Sequence, residues 1–247
     1  MTSTTSSPYQ FEPIGRVHSP YKEKFAIPRQ PGLVSAAQGK IEILCQGNAK
    51  DLFRDIEQHS HIWVLFVFHA TAEQGWKPLV KAPRLGGNKK TGVFATRSTF
   101  RPNPIGMSVV KHHGISQESG RFFLNISGHD LLDQTPVIDI KPYIPYSDQR
   151  SDAFSQMAPA PEQHHLQVNF TSKAQLQLQS LGEQYPKLST FIEQVLAQDP
   201  RPAYKKQQQD KQIYGMSLYD LNIRWQINAH CCDVIDIEKQ LATSEDT

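Results

Sequence analysis

The stretch Ala95-Thr-Arg-Ser-Thr-Phe-Arg-Pro-Asn-Pro-Ile-Gly-Met-Ser108 decides how the chain reads. Pro102 and Pro104 fix their own φ and push the residue before each toward extended geometry. Arg101 to Ile105 is therefore expected as a rigid loop rather than a helix, released at Gly106. The stretch carries two guanidiniums, Arg97 and Arg101, the hydroxyls of Thr96, Ser98, Thr99 and Ser108, and the Asn103 carboxamide. A stiff polar loop between apolar strands is how a β scaffold presents chemistry.

Upstream, Ile62-Trp-Val-Leu-Phe-Val-Phe68 is short, β-branched and aromatic, which predicts a central strand buried on both faces; Val93 to Thr96 predicts another. Downstream, Ser108 to His112 and Arg121 to Ser127 read as a hairpin across Ser116-Gln-Glu-Ser-Gly120, with Phe122, Leu124 and Ile126 on one face. A strand after Tyr9, the segment Gly39 to Leu44 and Val137 to Ile140 complete a mainly β pattern with hardly a helix. It predicts a closed or nearly closed β-barrel over residues 9–146. Residues 147–165, with Ala158-Pro-Ala-Pro161, read as a linker. Residues 166–240 read as a small α+β unit: Thr171 or Ser172 caps an amphipathic helix to Leu181, Leu188 to Leu196 gives a second apolar stripe, and Tyr219 to Ile227 alternates as a half-buried strand paired with Val234 to Ile237.

Composition excludes several classes. The 247 residues carry a formal net charge of +2 with 38% hydrophobic content, as in globular proteins. The longest apolar run is far too short for a membrane helix, and the Ser/Thr-rich start lacks a secretory pattern, so the cytoplasm is expected. Cys45, Cys231 and Cys232 make no disulfide framework, and the histidines lack metal-ligand spacing, so no metal is expected. Gly87-Asn-Lys-Lys-Thr-Gly92 lacks the Lys-Ser/Thr that completes a phosphate loop, and no dinucleotide fingerprint or serine-hydrolase elbow occurs.

Charge is concentrated instead. From Gln74 to Gln117 there is no carboxylate, while Lys77, Lys81, Arg84, Lys89, Lys90, Arg97, Arg101 and Lys111 are all cationic. Trp76, Phe94 and Phe100 interleave with them, which favours an anionic ligand such as a nucleic-acid backbone over a merely solvated face. Beside this region lies the cluster Asp130, Asp133, Asp139, Lys141 and Tyr143, either a structural ion-pair and turn set or part of a site.

Ser19-Pro-Tyr-Lys-Glu-Lys-Phe25, Pro28-Arg-Gln-Pro-Gly32, the stretch Ala95 to Gly106, Asp130 to Tyr143 and Gln198-Asp-Pro-Arg-Pro-Ala-Tyr204 together resemble the TsaA-like (TrmO) family, the tRNA N6-threonylcarbamoyladenosine methyltransferases. The resemblance implies an N-terminal β-barrel that binds S-adenosylmethionine, a small C-terminal domain, a homodimer, and methylation of N6 of the modified adenosine next to the anticodon. It places cofactor contacts on Gln30, Pro31, Gly32, His69, Arg97, Met107, Ser127, Gly128, His129 and Asp130. Within that chemistry Asp133 is a candidate proton acceptor, and Arg97 or Asn103 a candidate partner of the carbamoyl carbonyl. Lys89, Lys90, Arg101, Arg201, Lys205 and Lys206 are candidate contacts to the anticodon-loop backbone. The rival from another class is a non-catalytic RNA-binding barrel; carboxylates kept beside the cations weigh against it.

Overall fold

The computed structural model describes residues 9–81, 89–159, 166–201, 212–228 and 231–240. Strands β1 (Gly15–His18), β2 (Gln38–Ile43), β3 (His61–Val67), β6 (Ile105–Glu118), β7 (Arg121–Ser127) and β8 (Pro136–Pro142) close into a barrel in the order β1-β2-β7-β6-β3-β8. Every pairing between them is antiparallel, and β8 returns to β1 with Gly15 opposite Val137. Closure leaves this sheet no free edge.

The alternation expected of a barrel wall is present in β3: Ile62, Val64 and Phe66 point into the core, while Trp63, Leu65 and Val67 are half-buried outside. The expectation of a strand buried on both faces is thereby corrected, because a closed barrel encloses only its inner face. Val17, Ile41, Val110, Leu124, Ile126 and Val137 fill the same interior. Val93–Ala95, expected as a strand, is a single 3-10 turn; its Val93 carbonyl accepts from both the Thr96 backbone and the Thr96 hydroxyl. A short pair, β4 (Leu79–Lys81) and β5 (Lys90–Gly92), stands outside the barrel. One-turn helices α1 (Ala49–Leu52), α2 (His69–Ala72) and α3 (Pro145–Asp148) mark loops at its ends.

The C-terminal unit comprises β9 (Gln167–Phe170), helices α4 (Ser172–Leu181) and α5 (Leu188–Ala197), and strands β10 (Ile213–Leu218), β11 (Leu221–Asn228) and β12 (Cys231–Lys239). Its sheet runs β10-β11-β12-β9, with β9 parallel to β12. Thr171 caps α4, its hydroxyl accepting from the Ala174 N–H. Phe191, Ile192, Val195 and Leu196 of α5 pack on Leu221, Ile223 and Trp225.

The same core takes in Tyr21, Ala26, Val34, Ala36 and Ala37, which lie in the connection from β1 to β2. Tyr21 bridges to Leu218, the Tyr219 N–H donates to the Pro20 carbonyl at 2.8 Å, and the Ala36 N–H donates to Gln194 Oε1 at 2.9 Å. The barrel's first long loop is thus built into the C-terminal core, which holds Gln30–Gly32 between the two units. Among the described residues no helix is long and apolar enough to cross a membrane.

Candidate active site at one mouth of the barrel

Four segments distant in sequence meet at the barrel mouth where β3 and β7 end. The Gly32 N–H donates to the Gly128 carbonyl at 2.7 Å, and the Gly128 N–H donates to Ala37 at 2.9 Å. Gly32 and Gly128 have φ of 84° and 69°, a conformation that favours glycine, and a Cβ built on Gly32 would meet nothing within 4 Å. The Gly32 backbone therefore lies open to a ligand, while a Cβ on Gly128 would meet Gly32 Cα at 3.9 Å. Above it the Arg97 guanidinium donates to Gln30 Oε1, tying the stiff loop to the Pro28–Gly32 segment.

Beneath lies Asp130, whose Oδ1 accepts from the Ser108 hydroxyl at 2.6 Å. Burial raises this carboxyl above the ordinary aspartate range; Ser108 and the positive charge of Arg97 oppose that only in part. A carboxylate held this way gains from a cation placed against it. His129 is fully buried next to it and takes the Leu131 N–H on Nδ1 at 3.3 Å. Burial pushes its pKa down to about 4, so the imidazole is neutral and acts as packing, edge-on to the Tyr21 ring at 5.4 Å between centroids. Gly39 makes room for it: a Cβ there would lie 2.5 Å from His129 Nε2.

The structure brings together Gln30, Pro31, Gly32, Arg97, Ser127, Gly128, His129 and Asp130. His69 heads α2 at the same mouth without a hydrogen bond to this group; its neighbour Phe68 donates its N–H to Pro104 at 2.8 Å. Met107 is exposed on the outer wall, one residue before inward-facing Ser108. Asn103 is exposed, its carbonyl taken by the Ile105 N–H at 2.7 Å.

Asp133 sits differently from a free base. Burial would raise its carboxyl, but Lys22 Nζ at 2.6 Å and the Ser19 N–H at 2.8 Å outweigh that and hold it below the ordinary range. Lys141 and Asp139 pair with each other at 2.7 Å.

Of the expected RNA contacts, Lys89 and Lys90 are exposed, and Lys90 stands directly across from Lys81, a like-charge pair that an anion would relieve. Arg101 folds back, donating to the Thr96 carbonyl at 2.7 Å and lying 5.7 Å from the centre of the Phe94 ring. Arg201 is internal: only 7% exposed, its guanidinium is bidentate to buried Asp199 at 2.8 and 2.9 Å, so it cannot reach a phosphate as placed. Lys205 and Lys206 lie outside the described residues.

Sequence reasoning missed Ser108 as the partner of Asp130 and Tyr21 as the packing partner of His129. The outward-inward alternation of β6 carried the first signal; nothing local carried the second. A cleft of about 420 Å³ at the opposite end, lined by Ile14, Phe53, Ile62 and Ile140 among others, lacks a comparable cradle, since its Arg54 is tied to Asp51. The mouth at Arg97 and Asp130, where charged and polar groups converge, is the better site.

The cradle fits S-adenosylmethionine by its own chemistry. Asp130 suits a cationic group, Arg97 with Gln30 suits a carboxylate, and the open Gly32 backbone admits a close approach.

Comparison with known proteins agrees. The chain matches the tRNA-methyltransferase O N-terminal domain over residues 16–149 and the TrmO C-terminal domain over residues 163–240. It is 49% identical over 235 residues to a tRNA (adenine(37)-N6)-methyltransferase of Escherichia coli strain K12, covering 94% of this chain and 99% of the relative. It is 46% identical to a putative S-adenosylmethionine-dependent methyltransferase, RcsF, of Pseudomonas aeruginosa, covering 88% and 92%. The crystal structure of TrmO from Pseudomonas aeruginosa superposes with a TM-score of 0.77 at 39% identity, covering 94% of this chain and 99% of that one. Both halves of the chain, barrel and C-terminal unit together, belong to the tRNA-methyltransferase O family.

Proposed function

We infer that this chain is an S-adenosylmethionine-dependent methyltransferase acting on N6 of adenosine 37 of tRNA. The observation that carries the reading is the meeting of Gln30, Gly32, Arg97, Gly128 and Asp130 at one barrel mouth, in a chain that aligns with 99% of the Escherichia coli relative. The cofactor, when bound, supplies an electrophilic methyl group on a sulfonium.

The residues divide the work. Arg97, steadied by Gln30, orients a carboxylate; Asp130, steadied by Ser108, offsets positive charge; and the Gly32 backbone, held by the Gly128 carbonyl, leaves room against the ligand. Positioning of this kind supplies much of the rate in a displacement at a methyl group. We place the cofactor at this cradle, with His69 and Met107 at its rim.

The proposed substrate is the threonylcarbamoyl form of adenosine 37. The exposed carboxamide of Asn103, on the loop that also carries Arg97, suits its carbamoyl group. An anticodon-loop base is unstacked at small cost, and the lysines Lys81, Lys89 and Lys90 suit the adjacent phosphates. Asp133 stays ionised in its pair with Lys22, which supports a clamp on the Ser19–Lys22 loop better than proton acceptance. The half-buried outer wall at Trp63, Leu65 and Val67, beside exposed Ile105 and Met107, suits the face of a homodimer, and the cytoplasm suits a tRNA substrate. The non-catalytic RNA-binding reading does not account for a half-buried carboxylate held above the ordinary aspartate range beside Arg97.

The test is incubation with S-adenosylmethionine and tRNA with or without the threonylcarbamoyl group, followed by nucleoside mass spectrometry. A gain of one methyl on the modified adenosine alone is expected. Methylation of unmodified tRNA to the same extent would remove the proposed substrate, and no methylation of either would remove the reading.

A further inference from the structure

Arg201 is internal and Arg101 braces its own loop, so beyond Lys81, Lys89 and Lys90 an RNA reaching this mouth draws on cations elsewhere. The outer wall of β6 and β7 has them. His112 and Ile126 point into the barrel, so Lys111, His113 and Ser127 point out. Lys111 stands across from Ser127 in register, and a bulge after His112 lets His113 Nε2 reach Ser127 Oγ at 2.8 Å.

Lys187 joins them from the C-terminal unit, as the left-handed residue (φ 63°) just before α5. It lies close enough to His113 to act on it. Burial first, then the charges of Lys111, His112 and Lys187, holds His113 below the ordinary histidine range. Farther along the same wall, Arg16 stands opposite Glu42 and Lys40 opposite Asn125.

The carboxylates on this wall are spoken for: Glu42 takes His18 and Arg121, and Glu118 takes Lys40. Lys111 and Lys187 have no ion pair among the described residues, whereas Arg16 faces Glu42. Lys111 from the barrel and Lys187 from the C-terminal unit therefore both act on His113, which is hydrogen-bonded to Ser127, the first residue of the cofactor turn. Resting on the tRNA reading above, we propose that Lys111 and Lys187 form a track for tRNA phosphates that leads the RNA over the β6–β7 wall to the cofactor turn.

A polyanion fits this face better than an acidic protein. No large exposed apolar side chain lies between the cations, since Phe123 is buried, and protein interfaces are anchored by such groups. Phosphates need only cations and hydrogen-bond donors.

The experiment compares wild type, the double variant K111Q/K187Q, the charge-keeping K111R/K187R, and a control, K50Q, on α1 at the opposite end of the barrel. Each full-length protein is titrated with tRNA carrying threonylcarbamoyladenosine at position 37 across a salt series, and separately with S-adenosylmethionine. For two lost phosphate contacts the slope of log affinity against log salt should shrink by about 1.5–2 in K111Q/K187Q, with at least about a tenfold loss of tRNA affinity at low salt. Cofactor affinity should match wild type, and K111R/K187R and K50Q should bind tRNA like wild type. Wild-type affinity and slope in K111Q/K187Q would overturn the proposal and leave the wall to an acidic protein, as would loss of binding that K111R/K187R does not restore. If wild type itself fails to bind tRNA at any salt, the functional reading falls first and the track with it.

Discussion

Arg97 and Gln30, 67 residues apart in sequence, are joined by a hydrogen bond across the barrel mouth. That bond sets the stiff proline loop against the Gly32 backbone, so the guanidinium is held in place before any ligand arrives. Pre-organised charge is what makes a cation selective for a carboxylate. Arg97→Ala should weaken S-adenosylmethionine binding about 10- to 100-fold by calorimetry. As Arg97 is exposed, unfolding free energy should move by no more than about 0.5 kcal/mol. Arg97→Lys should fail to restore affinity, because an ammonium does not reproduce the planar fork.

Asp130 and Asp133 are tuned in opposite senses, and stability against pH separates them. The folded pKa of Asp130 is raised, so the native state binds its proton more tightly and the ionised carboxyl costs stability at neutral pH. Asp130→Asn, which keeps an acceptor for Ser108, should gain on the order of 1 kcal/mol at pH 8 in denaturant unfolding. The gain should close below the unfolded aspartate value of about 3.9, while cofactor affinity falls.

Asp133 behaves in reverse. Its folded pKa is lowered, so its contribution is complete above the unfolded value of about 3.9 and is lost as pH falls through the folded pKa. Asp133→Asn should cost about 1 kcal/mol at pH 7, discounted for the exposure of Lys22, and progressively less as pH falls below about 3.9. As a clamp, it should lower the turnover of folded enzyme less than tenfold, well short of the roughly 100- to 10,000-fold that loss of a general base costs.

Gly106 allows the strand after the proline loop to pass over an aromatic pair. A Cβ at this position would lie 2.4 Å from Phe66 Cζ and 2.9 Å from Phe68, rings that pack edge-to-face at 5.2 Å. Phe66 is buried in the barrel core, so neither ring swings clear freely. Gly106→Ala should cost about 1–3 kcal/mol and weaken cofactor binding by displacing the Pro104–Phe68 junction, both measurable in one thermal-shift series with and without ligand.

Arg201 and Asp199 form a buried bidentate pair, with Asp199 at a φ of 49°. Removing one partner strands the other. Arg201→Ala should destabilise the C-terminal unit by about 3 kcal/mol in chemical denaturation, whereas a surface phosphate contact would leave stability unchanged.

These cases mark how far the sequence carries. The strand at Ile41, the Thr171 cap and the hairpin turn at Ser119-Gly120 are local and legible as barrel and helix signals, whereas the one-sided burial of Ile62–Phe68 is hidden because both of its faces are apolar. Val93–Ala95 looked like a strand because its side chains are apolar, but the Thr96 hydroxyl offered its backbone a turn instead. β9 is four residues whose parallel partner lies more than sixty positions on, so no local pattern announces it. In the site, the motif residues were readable one by one through the family resemblance. The burial of Arg201 and the opposite tuning of Asp130 and Asp133 depend on Asp199, Ser108 and Lys22, and only folding brings those partners into place.

The most direct measurement of the central claim is the transfer of an isotopically labelled methyl group from S-adenosylmethionine to tRNA, with the label located by fragment mass, for wild type, Arg97→Ala and Asp130→Ala. Label on N6 of nucleotide 37 with wild type, and at least about a tenfold lower initial rate for both variants at limiting cofactor, is the predicted result. Label at another nucleotide, or wild-type rates in both variants, would contradict the assignment of this barrel mouth as the methyl-transfer site.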